Sequence, residues 1–210
     1  MNILIVGGGL QALSVARSLK KERYSVIALL HRGDISTKSK YIDELYTIDI
    51  TPTYKKEYLS SVHRVLQVHA ISVIIPLSDV TAEFLSIHKV NLEHEYHLKC
   101  AIPNYDIFQK ANDKWQLMDL CKENFIPHPR TQLLTSSNLQ EAAGAIGFPA
   151  LIKPNISVGA RGITMVCSLS DLQDKYDGIL RKYGECTLQE YIDTSGAPYY
   201  NVIDRKSTRL

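Results

Sequence analysis

The 210-residue sequence predicts an α/β protein whose first hundred residues form a parallel sheet, followed by a region of different pattern. Three observations carry this. Residues 2–6 (Asn-Ile-Leu-Ile-Val) are a short continuous apolar run, the pattern of a strand buried on both faces, and Ser25 to Leu30 and Ile71 to Pro76 repeat it. Helical spacings separate the runs; the first passes through Leu10, Leu13, Val15, Ala16 and Leu19 to Lys20 and Lys21, cations that suit a helix C-terminus. The register then changes near residue 100. Strands alternating with helices predict a parallel sheet with right-handed crossovers.

The second region begins with a turn at Ile102-Pro103-Asn104 and a helix through Ala111, Trp115, Leu117 and Leu120 to about Glu123. Ile126-Pro127-His128-Pro129 must be extended, because each proline restricts itself and the residue before it. Ser136-Ser137-Asn138 suits the N-cap of a short helix through Leu139, Ala142, Ala143 and Ile146, which Gly147 ends. A strand from Ala150 to Lys153, a loop of small residues, a return strand Ile163 to Val166, a helix capped at Ser170 and a strand from Thr187 to Ile192 complete the order.

Bulk properties narrow the function classes. The composition is 45% hydrophobic and 22% charged, ordinary for a globular chain, and the net charge of +2 argues for neither nucleic acid nor an anionic membrane as partner. The four cysteines, Cys100, Cys121, Cys167 and Cys186, are widely spaced and read as reduced thiols of a cytoplasmic protein. No signal-peptide pattern precedes the first strand, and no apolar run approaches membrane-spanning length. The segment Asp204 to Leu210 (DRKSTRL) has no apolar period and matches the translation of a sequencing adapter, so it is excluded from fold reasoning and the chain is expected to be a fragment cut near Ile203.

Two constellations point to phosphate chemistry. Gly7-x-Gly9-x-x-Ala12 follows a strand and opens a helix, as a dinucleotide fingerprint requires. Its glycines would let the backbone approach a phosphate at the positive end of the helix. The acid that should follow the second strand is displaced: that strand runs into Leu30-His31-Arg32, and Asp34 lies beyond Gly33. Arg32 suits a 2′-phosphate, so an NAD(P)-binding oxidoreductase stays open beside a tight turn that binds nothing. Weaker candidates are His94 and His97, three apart with no third metal ligand nearby, and Ser78-Asp79, a helix cap or a substrate neighbour at a strand end.

The second constellation is an ordered set: Ala111-Asn112-Asp113-Lys114-Trp115, then Asn124 to Thr131, then Phe148-Pro149-Ala150-Leu151-Ile152-Lys153-Pro154, then Val158-Gly159-Ala160-Arg161-Gly162-Ile163, then Leu188-Gln189-Glu190-Tyr191-Ile192. In that order and spacing the chain resembles the ATP-grasp superfamily, in particular its carbamoyl-phosphate-synthase-like and biotin-carboxylase-like members. The resemblance covers residues 1 to about 203. It implies a Rossmann-like pre-ATP-grasp domain at 1–105, the N-terminal part of an incomplete α+β ATP-grasp domain at 106–203, and a non-native tail at 204–210.

The resemblance also implies the chemistry. ATP would be the cofactor, with Lys114 and Lys153 as cations on its α- and β-phosphates, since lysine is a compact charge that follows phosphate oxygens. The loop holding Ser157, Gly159, Arg161 and Gly162 would close over the phosphates with backbone N–H groups. Ile156 and Ser157 stand where the family often has small residues or glycine. Gln189, Glu190, Tyr191 and Ile192 would be the hinge along the adenine, and Tyr199 stands where many members place a ribose-binding acid. A solvent-reaching lysine and a plain edge strand are the alternatives for Lys153 and the hinge. The family joins a small carboxylate substrate to an amine or thiol through an acyl phosphate, with magnesium offsetting oxygen charge. The magnesium ligands are expected beyond residue 203, so the chain is expected to be inactive alone. A non-catalytic nucleotide-binding module is the third reading, and homo-oligomers are possible.

Overall fold

In the computed structural model, which describes residues 1–49 and 54–196, five strands form a parallel sheet in the order β3-β2-β1-β4-β5. They are β1 (Asn2–Gly7), β2 (Ser25–His31), β3 (Glu44–Ile48), β4 (Ile71–Pro76) and the two-residue β5 (Lys99–Cys100). The three apolar runs of the sequence are its three central strands, and their registers are parallel throughout. Both edge strands escape the pattern. β3 is largely exposed and half polar, and β5 is too short to carry a period.

The helices α1 (Gly9–Lys21), α2 (Tyr54–Val68) and α3 (Asp79–Tyr96) connect these strands. Alternate side chains of the central strands bury on opposite faces. Leu4, Val6, Ile27, Leu29 and Ile74 pack with Val62, Val65, Phe84, Leu85 and Leu92 of α2 and α3. Ile5, Val26, Ala28 and Leu30 pack with Ala12 and Ala16 of α1, joined by partly buried Tyr41 and Ile42. The connection from β2 to β3 holds only a 3-10 turn, Ile35–Lys38, so the α1 face carries a thinner cover. Of the expected helical positions Ala16 is buried and Val15 and Leu19 pack against the core, but Leu10 is 71% exposed and the second buried residue of α1 is Ala12. Small residues let the helix approach the sheet closely, and they carry little weight in an apolar periodicity.

The first compact unit comprises Met1–Gln109, and the second begins at Lys110. Where one helix was expected through Glu123 there are two, α4 (Tyr105–Asn112) and α5 (Lys114–Glu123). The break is Asp113, whose extended backbone and side-chain bond from the Gln116 N–H (3.0 Å) make it an N-cap. The second sheet is antiparallel, in the order β6-β9-β7-β8, from β6 (Thr131–Leu133), β7 (Ala150–Pro154), β8 (Thr164–Val166) and β9 (Cys186–Glu190). Helix α6 (Leu139–Ile146) ends at Gly147 as expected, in a positive-φ conformation (φ 80°). Helix α7 (Leu169–Tyr183) is capped by Ser168, not Ser170: the Asp171 N–H donates to the Ser168 hydroxyl. Together α6 and α7 cover Ala150, Ile152, Val166, Cys186 and Leu188 to form the second core. The expected adapter-like tail Asp204 to Leu210 and the ribose position Tyr199 lie outside the described residues.

Candidate functional site

Strand periodicity divides β7 and β9 into a core face and a chemical face. Ala150, Ile152, Cys186 and Leu188 point into the second core, which leaves Leu151, Lys153, Thr187 and Gln189 on the other side. Lys153 is paired with Thr187, and Leu151 with Gln189. The Lys153 ammonium donates to Gln189 Oε1, the Gln189 amide donates to Thr131 Oγ1 (3.0 Å), and the Thr131 hydroxyl donates to the Pro129 carbonyl (2.9 Å). A polar relay therefore runs across β7, β9 and β6 and fixes the direction of the lysine. Gln189 is 7% exposed, so its side chain belongs to this relay.

Lys114 opens α5, and its backbone N–H donates to the Asn155 carbonyl at the exit of β7 (2.9 Å). Its ammonium donates to the Asn155 carbonyl (3.4 Å), the Ser157 carbonyl (3.2 Å) and the Ser157 hydroxyl (3.1 Å). All three acceptors are neutral. Burial lowers the Lys114 pKa, partly offset by Asp113 beside it; burial lowers that of Lys153 as well, and the Lys114 charge lowers it further. The two sites thus act on each other electrostatically. Two partly buried ammonium groups without a carboxylate partner form a local excess of positive charge, and a polyanion bound there would be favoured.

The loop after β7 begins beside these lysines. It turns at Gly159 and Ala160, both at φ 60°, and closes with the Arg161 N–H on the Val158 carbonyl (3.3 Å) and the Ile163 N–H on the Ala160 carbonyl (3.2 Å). Gly162 is at φ 77°, and a Cβ there would lie 2.7 Å from Pro154 Cγ and 2.9 Å from Tyr183 Cδ2. Only glycine fits this backbone without strain. Ile156 and Val158 are exposed, Arg161 is exposed, and its guanidinium meets no carboxylate among the described residues.

The expected hinge, Gln189 to Ile192, spans the end of β9 and the residues after it. The Glu190 N–H donates to the Arg130 carbonyl (2.9 Å) and the Tyr191 N–H to the Pro149 carbonyl (3.4 Å). The Glu190 carboxylate accepts from the Arg130 backbone (2.8 Å) and its Nε (2.7 Å), and the same guanidinium reaches the carbonyls of Ala145 and Ile146 at the end of α6. These bonds from the Arg130 backbone and side chain hold the Glu190 pKa below its ordinary value. Glu190 is therefore a structural tie, whereas Tyr191 and Ile192 lie exposed past the strand end. Arg130 and Thr131 belong to the ordered set of the sequence but carried no role there; they are the partners that fix Glu190 and Gln189, and the three-residue β6 gave no period to reveal it.

The glycine turn of the first unit has a different occupant. The Gly9 N–H at the start of α1 donates to both oxygens of Asp34 (3.0 and 2.9 Å), which also accepts the Ser36 N–H (2.8 Å) and the Ser36 hydroxyl. A Cβ on Gly8 would lie 2.5 Å from Asp34 Oδ2. Gly8 thus makes room for the protein's own carboxylate at the place where a dinucleotide phosphate would sit. Ser78 caps α3 in a capping box with Thr81, and His94 and His97 are exposed, His97 at the helix C-cap. Among the described residues no group of three or more His, Cys, Asp or Glu is placed to hold a metal.

The chain is thus a Rossmann-type unit followed by an antiparallel unit in which two partly buried lysines stand beside a glycine loop. The comparisons agree. The chain is 23% identical over 167 residues to a D-aspartate ligase of Enterococcus faecium (strain Aus0004), covering 74% of this chain and 38% of that protein. It is 27% identical over 179 residues to the arginine-specific large chain of carbamoyl phosphate synthase of Geobacillus stearothermophilus, covering 84% of this chain and 16% of that protein. No family model matches. Among solved structures, the biotin carboxylase domain of Hydrogenobacter thermophilus 2-oxoglutarate carboxylase, a dimer in complex with MgADP and bicarbonate, aligns with a TM-score of 0.76 at 20% identity over 92% of this chain and 44% of its own. N5-carboxyaminoimidazole ribonucleotide synthetase of Thermotoga maritima aligns with a TM-score of 0.64 at 21% identity, over 91% and 46%. These relatives and neighbours are ATP-grasp ligases, and the chain has the fold of their N-terminal part. It spans less than half the length of each.

Proposed function

We propose that this chain supplies the ATP-binding part of a cytoplasmic ATP-dependent carboxylate–amine or carboxylate–thiol ligase that works through an acyl phosphate. The observation that carries the reading is the pair Lys114 and Lys153: partly buried, mutually repelling, and held only by neutral oxygens. Bound ATP would supply the phosphoryl group that activates a carboxylate. The chain's own residues would hold it: Lys114 and Lys153 as cations for the phosphates, and Ser157, Gly159, Arg161 and Gly162 as the loop over them. The adenine would lie along the backbone from Gln189 to Ile192. Magnesium belongs to the family's chemistry, and its ligands would come from residues beyond those described; among the described residues no group of three or more His, Cys, Asp or Glu is placed to hold a metal.

The NAD(P) reading is disfavoured by Asp34, which places a carboxylate on the N–H that the fingerprint would offer to a phosphate. Parallel binding titrations with ATP and NADPH test the choice. Saturable binding of ATP with none of NADPH is expected; preferential binding of NADPH would overturn the proposal.

A further inference from the structure

A cleft of about 440 Å³ flanks α1 in the first unit, lined by Leu10, Leu13, Ser14 and Arg17 of the helix and by Ser39, Lys40 and Tyr41 of the segment that leads into β3. It has an architectural cause. The β2–β3 connection carries a 3-10 turn in place of a helix, followed by a second turn closed by the Ile42 N–H on the Ser39 carbonyl (3.3 Å), and this short connection leaves the space beside α1 open. The volume is in the range of small-molecule pockets, about 300 to 1,000 Å³.

Its lining is divided by chemistry. Leu10, which the apolar pattern would bury, is 71% exposed and faces this space together with Leu13 and half-buried Tyr41. Arg17 and Lys40 bring positive charge from its two sides, and the Lys40 ammonium lies 5.5 Å from the Tyr41 ring centroid. Neither meets a carboxylate among the described residues, although neighbouring cations do: Lys20 pairs with Asp43 at 2.8 Å and Arg32 with Asp49 at 2.6 Å. Asp43, the acid closest in sequence to Lys40, is taken up by Lys20 and by the Val26 N–H (2.7 Å).

We propose that this cleft binds a small organic carboxylate with an apolar body, its carboxylate between Arg17 and Lys40 and its body against Leu10, Leu13 and Tyr41. Arginine's planar fork matches a carboxylate's two oxygens, lysine adds a mobile charge, and the two leucines select against small hydrophilic anions. The site lies wholly within the first unit and is independent of the nucleotide reading.

Benzoate is a suitable probe, titrated into the full chain at constant ionic strength while backbone amide resonances are followed. Saturable shifts at Ser14, Arg17, Lys40 and Tyr41 are expected, with benzamide and acetate each binding at least about tenfold more weakly, the size of one lost charge-assisted bond or of a lost apolar body. Arg17→Gln and Lys40→Gln should each weaken benzoate by a similar factor without altering the rest of the spectrum. Equal affinity for benzamide would show an uncharged dip, and equal affinity for acetate a diffuse charge effect. Either result, or unsaturable shifts, would overturn the proposal.

Discussion

The glycine turn of the first unit and the glycine loop of the second carry similar sequence signatures and opposite electrostatics. At the first, the donor a phosphate would use is satisfied by Asp34. At the second, two ammonium groups donate to neutral oxygens, and Asp113 offsets the burial of Lys114 only in part. Glycines in a turn therefore show that the backbone comes close to something, and the charges around them show to what. In the first unit the partner is internal; in the second, the unbalanced charge calls for an external one.

The sharpest way to break the second region is Gly162→Ala. Its φ of 77° and the 2.7 Å approach to Pro154 predict a loss of about 2 to 4 kcal/mol. Trp115, the single tryptophan, stands in α5 and would report it as an earlier fluorescence transition in urea.

In the first region the corresponding change is Asp34→Asn. Burial tends to raise the Asp34 pKa, but the bonds from Ser36 and Gly9 outweigh it and the value lies below the ordinary one. A carboxylate depressed in the fold contributes stability that is present above its unfolded pKa, about 4, and lost as pH falls through the folded value. Protection factors of amides in β1 and α1, corrected for intrinsic exchange at each pH, should therefore fall on acidification in the parent chain. In Asp34→Asn this pH dependence should flatten, with protection already lower at neutral pH by about 1 to 2 kcal/mol.

Glu190→Gln should have the smallest effect. The Arg130 pair is partly exposed (62% and 23% for the two side chains), so about 0.5 kcal/mol is expected in the same urea transition. ATP affinity should be unchanged, since this carboxylate faces Arg130.

The central strands and the lysines of the second unit were legible in the sequence because each rests on a local pattern: continuous apolar runs, and a lysine beside proline and glycine. The relay and the ties were not. Gln189 and Glu190 read alike as hinge residues, yet side-chain alternation sends one to Lys153 and the other to Arg130, and that depends on the register of β9 against both β7 and β6. Asp34 read as displaced from a ribose position, because only the fold of the 3-10 turn brings it back to Gly9. The cap at Ser168 differs from the expected Ser170 by two residues, a shift that local propensity does not resolve.

The most direct measurement is the ATP affinity of the chain and of Lys153→Ala by calorimetric titration. Lys153→Ala removes the donor to the buried Gln189 Oε1, so the urea transition should move by about 1 to 2 kcal/mol and stay cooperative, which separates lost binding from unfolding. The account predicts an affinity at least about tenfold lower, as expected for a charge-assisted contact to phosphate. An Ala variant that binds ATP as tightly as the parent chain would contradict the placement of the nucleotide at this loop.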